Sequence, residues 1–98
     1  MEVSFGDEAL DELERNPDAK SGFDRKIVRA FQKVLRFVRD AADERDLYAH
    51  PGLHFEKKKG DLDGCHALWL NDQWRLIVQV RKGNPKNCIH VLEIKDYH

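Results

Sequence analysis

The longest regular hydrophobic pattern in the chain lies between residues 27 and 38. Apolar residues recur there at spacings of three and four, which is the period of an α-helix with one buried side. Ser21 is a candidate N-cap, and Asp24 follows three residues later. The apolar positions are Ile27, Ala30, Phe31, Val34, Leu35 and Val38. The pattern therefore predicts a long amphipathic helix that begins soon after Ser21, with basic residues on its polar side.

Shorter elements are predicted on both sides of this helix. Residues 3–5 favour a short first strand, and Gly6-Asp7 opens a helix that runs to about Arg15. Asn16-Pro17 ends that helix, because the residue before a proline is disfavoured in the helical conformation. Residues 43–48 favour a further short turn of helix before Pro51-Gly52 breaks the chain.

The second half of the chain has the composition of strands. Alternating or β-branched runs occupy residues 53–56, 66–70, 74–80 and 88–95. The short polar loop at residues 71–73 predicts a hairpin, and residues 83–87 predict a second turn. We therefore expect one α+β domain, residues 1–98, with two N-terminal helices packed on one face of a small, mainly antiparallel sheet.

Side chains alternate between the two faces of a strand, so the hairpin can be divided into two sets. One set is large and apolar and should face the helices: Leu68, Leu70, Trp74, Leu76, Val78 and Val80. The other set contains Ala67, Trp69, Arg75, Ile77 and Gln79. Two helices can cover only one face, so we expect the face with Trp69 and Arg75 to be open.

Composition and charge exclude several classes of protein. The chain lacks the run of roughly 18 apolar residues that a membrane helix needs, and its N-terminus does not resemble a secretory signal. We therefore expect a cytoplasmic protein that makes no membrane contact. Cys65 and Cys88 form neither a disulfide framework nor a metal-binding motif, so no cofactor or metal is expected. Residues 1–49 contain 9 Lys/Arg against 12 Asp/Glu, whereas residues 50–98 contain 8 against 6. An anionic partner should therefore bind the second half.

Chemically active side chains gather at the end of the chain. Asp96, Tyr97 and His98 follow directly after the last predicted strand, and all three can donate or transfer protons. The basic turn at residues 57–60 and the open face with Arg75 and Trp69 complete a candidate site for a nucleic acid. Arginine can hold a phosphate with two hydrogen bonds, and an exposed tryptophan can stack on a base.

Three segments of the chain resemble the HigB-type toxins of the RelE/ParE toxin–antitoxin superfamily. They are Leu53-His54-Phe55-Glu56-Lys57-Lys58-Lys59-Gly60-Asp61, Leu70-Asn71-Asp72-Gln73-Trp74-Arg75-Leu76 and Leu92-Glu93-Ile94-Lys95-Asp96-Tyr97-His98. The resemblance covers residues 45–98 well and the helical half only in pattern. It implies a RelE-like fold and a metal-independent endoribonuclease that cuts messenger RNA in the ribosomal decoding site. It also implies a HigA-like, helix-turn-helix antitoxin as partner, through which the protein would reach operator DNA.

The resemblance also assigns roles to individual residues. It implies catalytic roles for Lys59, Arg75, Asp96, Tyr97 and His98: Lys59 and Arg75 would stabilise charge on the phosphate, and the terminal triplet would transfer protons or position the substrate. It also implies an RNA-binding role for His54. The basic turn and the open face add Lys57, Lys58 and Trp69 as RNA-binding candidates, and Trp69 stands where family members carry an arginine. RNA cleavage needs a base, an acid and cations around the phosphorus, and these residue types supply them.

Two alternatives belong to a different functional class. The chain could be a RelE-fold protein that binds an antitoxin but has weak or no cleavage activity. It could also be a ParE-like toxin that binds DNA gyrase. Cleavage of ribosome-bound message separates the enzyme from both binding proteins.

Overall fold

The structure is a computed structural model that describes residues 1–60, 64–83 and 85–97. Its elements in chain order are β1 (Glu2–Phe5), α1 (Glu8–Arg15), α2 (Arg25–Asp40), α3 (Glu44–Ala49), a 3₁₀ helix (Pro51–Leu53), β2 (Glu56–Lys57), β3 (His66–Trp69), β4 (Trp74–Arg81) and β5 (Cys88–Asp96). The predicted α+β class is confirmed, and the predicted turn of helix at residues 43–48 is α3. In the described part of the chain, no helix is long and apolar enough to cross a membrane.

The strands form one five-stranded sheet in the order β1-β5-β4-β3-β2. β1 runs parallel to β5, and the other neighbouring pairs are antiparallel. The predicted hairpin is present, with Trp69 opposite Arg75. The pairing of β4 with β5 shifts by one residue after Ile77, which leaves Leu92 as the extra residue of a bulge.

The core lies between the helices and one face of the sheet, called here the helix-covered face. The apolar side of α2 is buried as predicted, and Phe31 and Leu35 are 0% exposed. From the sheet, Leu68, Leu76 and Val78 pack into the same cluster. Large apolar side chains from both layers therefore share one core, and burial of their surface is the main stabilising contribution to this fold.

The beginning of α2 differs from the expectation. Asp24, not Ser21, is the N-cap, and its carboxylate accepts a hydrogen bond of 2.9 Å from the backbone N–H of Lys26. The Ser21 hydroxyl instead accepts from the backbone N–H of Phe23 at 3.2 Å. The physical reason is Gly22, whose φ of 78° lies in the left-handed region and turns the chain before the helix can start. At the other end of α2, the N-terminal ammonium donates to the carbonyls of Val38 and Arg39.

The predicted strand at residues 53–56 is wrong. The chain there forms the 3₁₀ helix and then passes through His54, whose φ of 45° is left-handed, before the two-residue strand β2 begins. Pro51 at the start of the 3₁₀ helix favours a turn over an extended strand, and Leu53 uses that turn to enter the core. The apolar–polar alternation was therefore produced by a turn and a short strand together.

The second face of the sheet, called here the outer face, is less open than expected. Ala67 and Ile77 are 1% and 0% exposed, and they form a small cluster with Cys65 against which Leu92 packs. The chain reaches this face after β2, where the backbone N–H of Lys58 donates to the Cys65 carbonyl at 2.9 Å. The bulge in β5 contributes Leu92. Small apolar groups thus fill the middle of the outer face. Polar side chains lie on both sides of this centre, Arg75 at one end of β4 and Gln79 and Arg81 at the other.

Candidate active site

Two cations contact the ring of Tyr97 at one end of the outer face. Lys58 Nζ is 4.8 Å from the ring centroid, and the guanidinium carbon of Arg75 is 5.4 Å from it. Lys58 follows β2, Arg75 belongs to β4, and Tyr97 follows β5, so three separate elements converge here. Cations at these distances are attracted to the electron-rich ring. We call Glu56, Lys58, Arg75 and Tyr97 together the Tyr97 site.

Glu56 is the anion of the Tyr97 site. Its carboxylate accepts a hydrogen bond from Lys58 Nζ at 2.5 Å. This bond lowers the pKa of Glu56, and the charges of Lys58, Arg75 and His54 add to the effect. The pKa of Lys58 is raised, first by the bond to Glu56 and further by a hydrogen bond to Tyr97. Both groups are therefore ionised at neutral pH.

The backbone of the β3–β4 hairpin loop holds the end of β5 in place. The backbone N–H of Tyr97 donates to the Gln73 carbonyl at 2.7 Å, and Gln73 Nε2 donates to the Asp96 carboxylate at 3.1 Å. The loop itself is closed by Asn71, whose side-chain oxygen accepts from the backbone N–H groups of Gln73 and Trp74. The position of Tyr97 is consequently set by the hairpin turn as well as by β5.

Backbone carbonyls of the β3–β4 hairpin hold the Arg75 side chain in one orientation. Its Nη1 donates to the carbonyls of Asn71 and Trp74, and the side chain is half-buried. A guanidinium has five N–H donors. Within the described residues only Nη1 is engaged in hydrogen bonds, so the other donors can bind an anion. A fixed arginine of this kind suits a phosphate group.

The three consecutive lysines have different surroundings. Lys57 is exposed and, by strand alternation, points away from Glu56 and Lys58; its charge contributes to lowering the pKa of His66, after the larger effect of burial. Lys59 is exposed two residues beyond the end of β2. The family resemblance implies a catalytic role for Lys59, and the basic turn suggested RNA binding for Lys58, but Lys58 is the lysine that contacts Tyr97.

An aromatic pair lies on the β3 side of the site. The rings of His54 and Trp69 are 5.9 Å apart and tilted by 54°. Trp69 lies directly opposite Arg75 in the sheet and shares its face, as the alternation predicted, and is half-buried. Flat rings next to cationic side chains are suited to stacking with a nucleobase.

The terminal triplet is described only in part. Asp96 is exposed and bonded to Gln73, Tyr97 is 36% exposed, and His98 lies outside the described residues. In residues 1–60, 64–83 and 85–97, no three His, Cys, Asp or Glu side chains are grouped in a way that could hold a metal ion. The described side chains thus provide two cations, two carboxylates and a phenol.

The sequence prediction missed Glu56 and Gln73 as site residues. Both belong to segments that carry the family resemblance, but neither was given a role. The signal for Glu56 was present, because Glu56 and Lys58 are two residues apart and point to the same face of an extended chain. No local signal identified Gln73, since its contact with Asp96 joins residues 23 positions apart.

Comparison with known proteins identifies the family of this chain. The family model for HigB, described as a RelE-like toxin of a type II toxin–antitoxin system, matches residues 3–98. Toxin HigB-1 of Vibrio cholerae serotype O1 is 30% identical over 79 residues, which are 81% of this chain and 83% of that protein.

Solved structures show the same fold. The YoeB/ParE toxin from Agrobacterium tumefaciens superposes with a TM-score of 0.66 at 17% identity and full coverage of both chains. A YoeB–YefM complex from Staphylococcus aureus gives 0.61 at 18% identity, with coverage of 100% and 97%. The RelE-like α+β fold is therefore confirmed. The chain belongs to the HigB-like family and is a toxin of a type II toxin–antitoxin system, with an antitoxin as its partner.

Proposed function

We propose that this toxin is an endoribonuclease that cuts messenger RNA in the ribosomal decoding site. The observation that carries the proposal is the Tyr97 site, in which Lys58 and Arg75 contact the Tyr97 ring and Lys58 donates a hydrogen bond to Glu56. Cleavage of RNA passes through a pentacovalent phosphate with extra negative charge. Fixed cations lower the free energy of that state more than that of the bound substrate.

The side chains can be given roles in this reaction. A base removes the proton of the ribose 2′-hydroxyl, the 2′-oxygen attacks phosphorus, and an acid protonates the departing 5′-oxygen. Glu56 is the proposed base: a bound phosphate would compete for Lys58 and so release the carboxylate to accept the proton. The proposed acid is His98, and Arg75 would bind the phosphate oxygens. Asp96 and Tyr97 would position these groups, while His54, Trp69, Lys57 and Lys59 would contact the flanking RNA.

The partner is proposed to be a HigA-like antitoxin with a helix-turn-helix domain, which would carry the complex to operator DNA. The family match supports an antitoxin, and the related YoeB of Staphylococcus aureus was solved in complex with YefM.

The decisive experiment removes the end of the chain. Deletion of Tyr97 and His98 should lower cleavage of ribosome-bound message by roughly 10²–10⁴, as expected when proton transfer is lost. Thermal unfolding should change little, because Ile94 is the last buried residue of β5. Glu93→Gln, on the exposed part of the same strand, is the matched control and should cut normally. A truncated protein that melts normally and still cuts message would show that these residues do not take part in the reaction.

One observation favours the alternative of a toxin-fold binding protein without cleavage. The net charge is −1 and the isoelectric point is about 6.5, whereas binding to nucleic acid gains much of its affinity from cationic surface. If the intact chain binds its antitoxin but leaves programmed ribosomes uncut, this alternative replaces the enzyme.

A further inference from the structure

A groove separate from the Tyr97 site runs between α2 and the end of β3. Its volume is about 550 Å³, within the range of roughly 300–1,000 Å³ typical of binding sites. Its apolar lining, called here the floor, consists of Ala30, Val34, Phe37, Leu53 and Leu70, and Trp69 also lines the groove. We call this the α2 groove. None of the roles proposed for RNA cleavage uses its apolar floor.

The rim of the α2 groove is mainly basic. Lys33 and Arg36 line it from the exposed side of α2, together with Asp40 and His50. In the part of the chain that the structure describes, no ion pair joins Lys33 or Arg36 to a carboxylate. By contrast, Arg39 on the same helix is paired with Glu14 at 2.7 Å. The groove therefore combines an apolar floor with two cations that have no acidic partner among the described residues.

We propose that the α2 groove holds a segment of the antitoxin in which a large apolar side chain is flanked by carboxylates. The inference depends on the family membership established above and adds the surface by which that partner is recognised. An apolar side chain would fill the floor, and its neighbouring carboxylates would pair with Lys33 and Arg36. Clusters of buried apolar anchors inside a polar rim are the usual composition of strong protein interfaces.

RNA fits the groove less well than a protein segment. A base needs polar groups that match its edge, but the floor of the α2 groove consists of hydrocarbon side chains. The position of Trp69 has a further consequence. The same residue lies opposite Arg75 and beside His54, so a segment in the groove would lie against the RNA side of the Tyr97 site. Occupation of the groove would thereby hinder RNA binding without contact with Tyr97.

The test uses the antitoxin encoded beside this chain and two variants of the groove. Arg36→Glu reverses a rim charge, and Ala30→Phe fills the floor. Each should weaken antitoxin binding by about tenfold or more, measured by calorimetry. Lys26→Glu is the matched control: it makes the same charge change on an exposed position of α2 outside the groove, and it should bind as the unmodified chain does. Thermal unfolding of each variant shows whether it is folded.

A fluorescence measurement locates the contact independently of affinity. In the Trp74→Phe variant, Trp69 is the one tryptophan of the sequence, and its emission should shift to shorter wavelength when the antitoxin covers the groove. Equal affinity for all variants with unchanged Trp69 emission would overturn the proposal, as would an equal loss in Lys26→Glu and Arg36→Glu. A groove variant that loses cleavage but keeps antitoxin affinity would assign the groove to RNA instead. Antitoxin affinity is measured without RNA, so failure of the chain to cut message would leave this result unaffected.

Discussion

The two faces of the sheet are built from the same strands but differ in what they do. On β4, Leu76 faces the helices and is 0% exposed, whereas its neighbour Arg75 lies half-buried on the outer face beside Tyr97. The helix-covered face is mainly apolar. The outer face has a small apolar centre, and the charges of the Tyr97 site lie at one end of it. Adjacent residues of one strand therefore serve different purposes: Leu76 stabilises the core, and Arg75 belongs to the candidate active site.

Adjacent substitutions on β4 should give opposite outcomes. Leu76→Ala should lower the free energy of unfolding by about 2–5 kcal/mol, because it leaves a cavity in the core. Arg75→Ala should change it by about 1 kcal/mol or less but slow cleavage by roughly 10²–10³. Urea unfolding and cleavage of ribosome-bound message measure the two effects. The division between the faces would be wrong if both variants lost stability to the same extent.

Substitutions of two neighbouring lysines should also differ in their effect on cleavage. Lys58→Met removes a cation from Tyr97 and Glu56, and cleavage should fall about 10²-fold. Lys59→Met makes the same charge change at an exposed position, and the rate should stay within about threefold. Both variants should unfold at nearly the same temperature as the unmodified chain. A larger loss of cleavage in Lys59→Met than in Lys58→Met would show that Lys59 is the lysine of the site, as the resemblance implied.

Gln73 should have a smaller effect, because it positions other residues without touching the phosphate. Gln73→Ala removes the hydrogen bond to Asp96 but keeps the backbone bond to Tyr97, so the turnover rate should fall about tenfold with little change in KM. Gln79→Ala is the matched control on the same hairpin, since Gln79 bonds to Arg81 at the opposite end of β4. Equal rates for Gln73→Ala and the unmodified chain would show that β5 alone positions the end of the site.

The smallest effect concerns His66, which lies on the helix-covered side and stacks on Phe55. Burial lowers the pKa of His66 from 6.5, and the charge of Lys57 adds to this. As pH falls below about 6.5, the unfolded chain takes up a proton before the folded chain does, so the stability contributed above that pH is lost.

His66→Phe should therefore lose less stability than the unmodified chain between pH 7 and pH 5, measured by urea unfolding. Tyr48→Phe is the control: it removes the hydroxyl bonded to His66 Nε2 but leaves the imidazole to titrate, and it should keep the full acid loss. Identical pH dependence in His66→Phe and Tyr48→Phe would assign the acid sensitivity to another group.

Periodicity along the chain was sufficient to predict much of the architecture. The spacing of apolar residues predicted α2, and the turn at residues 71–73 predicted the hairpin that pairs Trp69 with Arg75. These features are local: a helix or a hairpin joins residues close in sequence, so nearby side chains decide them. The family resemblance was confirmed over residues 3–98. It singled out residues 57–59 and 96–98, which no local pattern distinguishes from an ordinary basic turn and a solvated chain end.

Tertiary structure alone decided which of these residues meet. Lys58 reaches Tyr97 only because β2, β4 and β5 belong to one sheet, and the sequence places about 40 residues between the two. The parallel pairing of β1 with β5 and the burial of Ala67 and Ile77 also depend on distant segments. Contacts of this kind are set by how the whole chain packs. The α2 groove could not have been predicted from the sequence for the same reason, since its floor and walls come from a helix, a turn and a strand that no local pattern brings together.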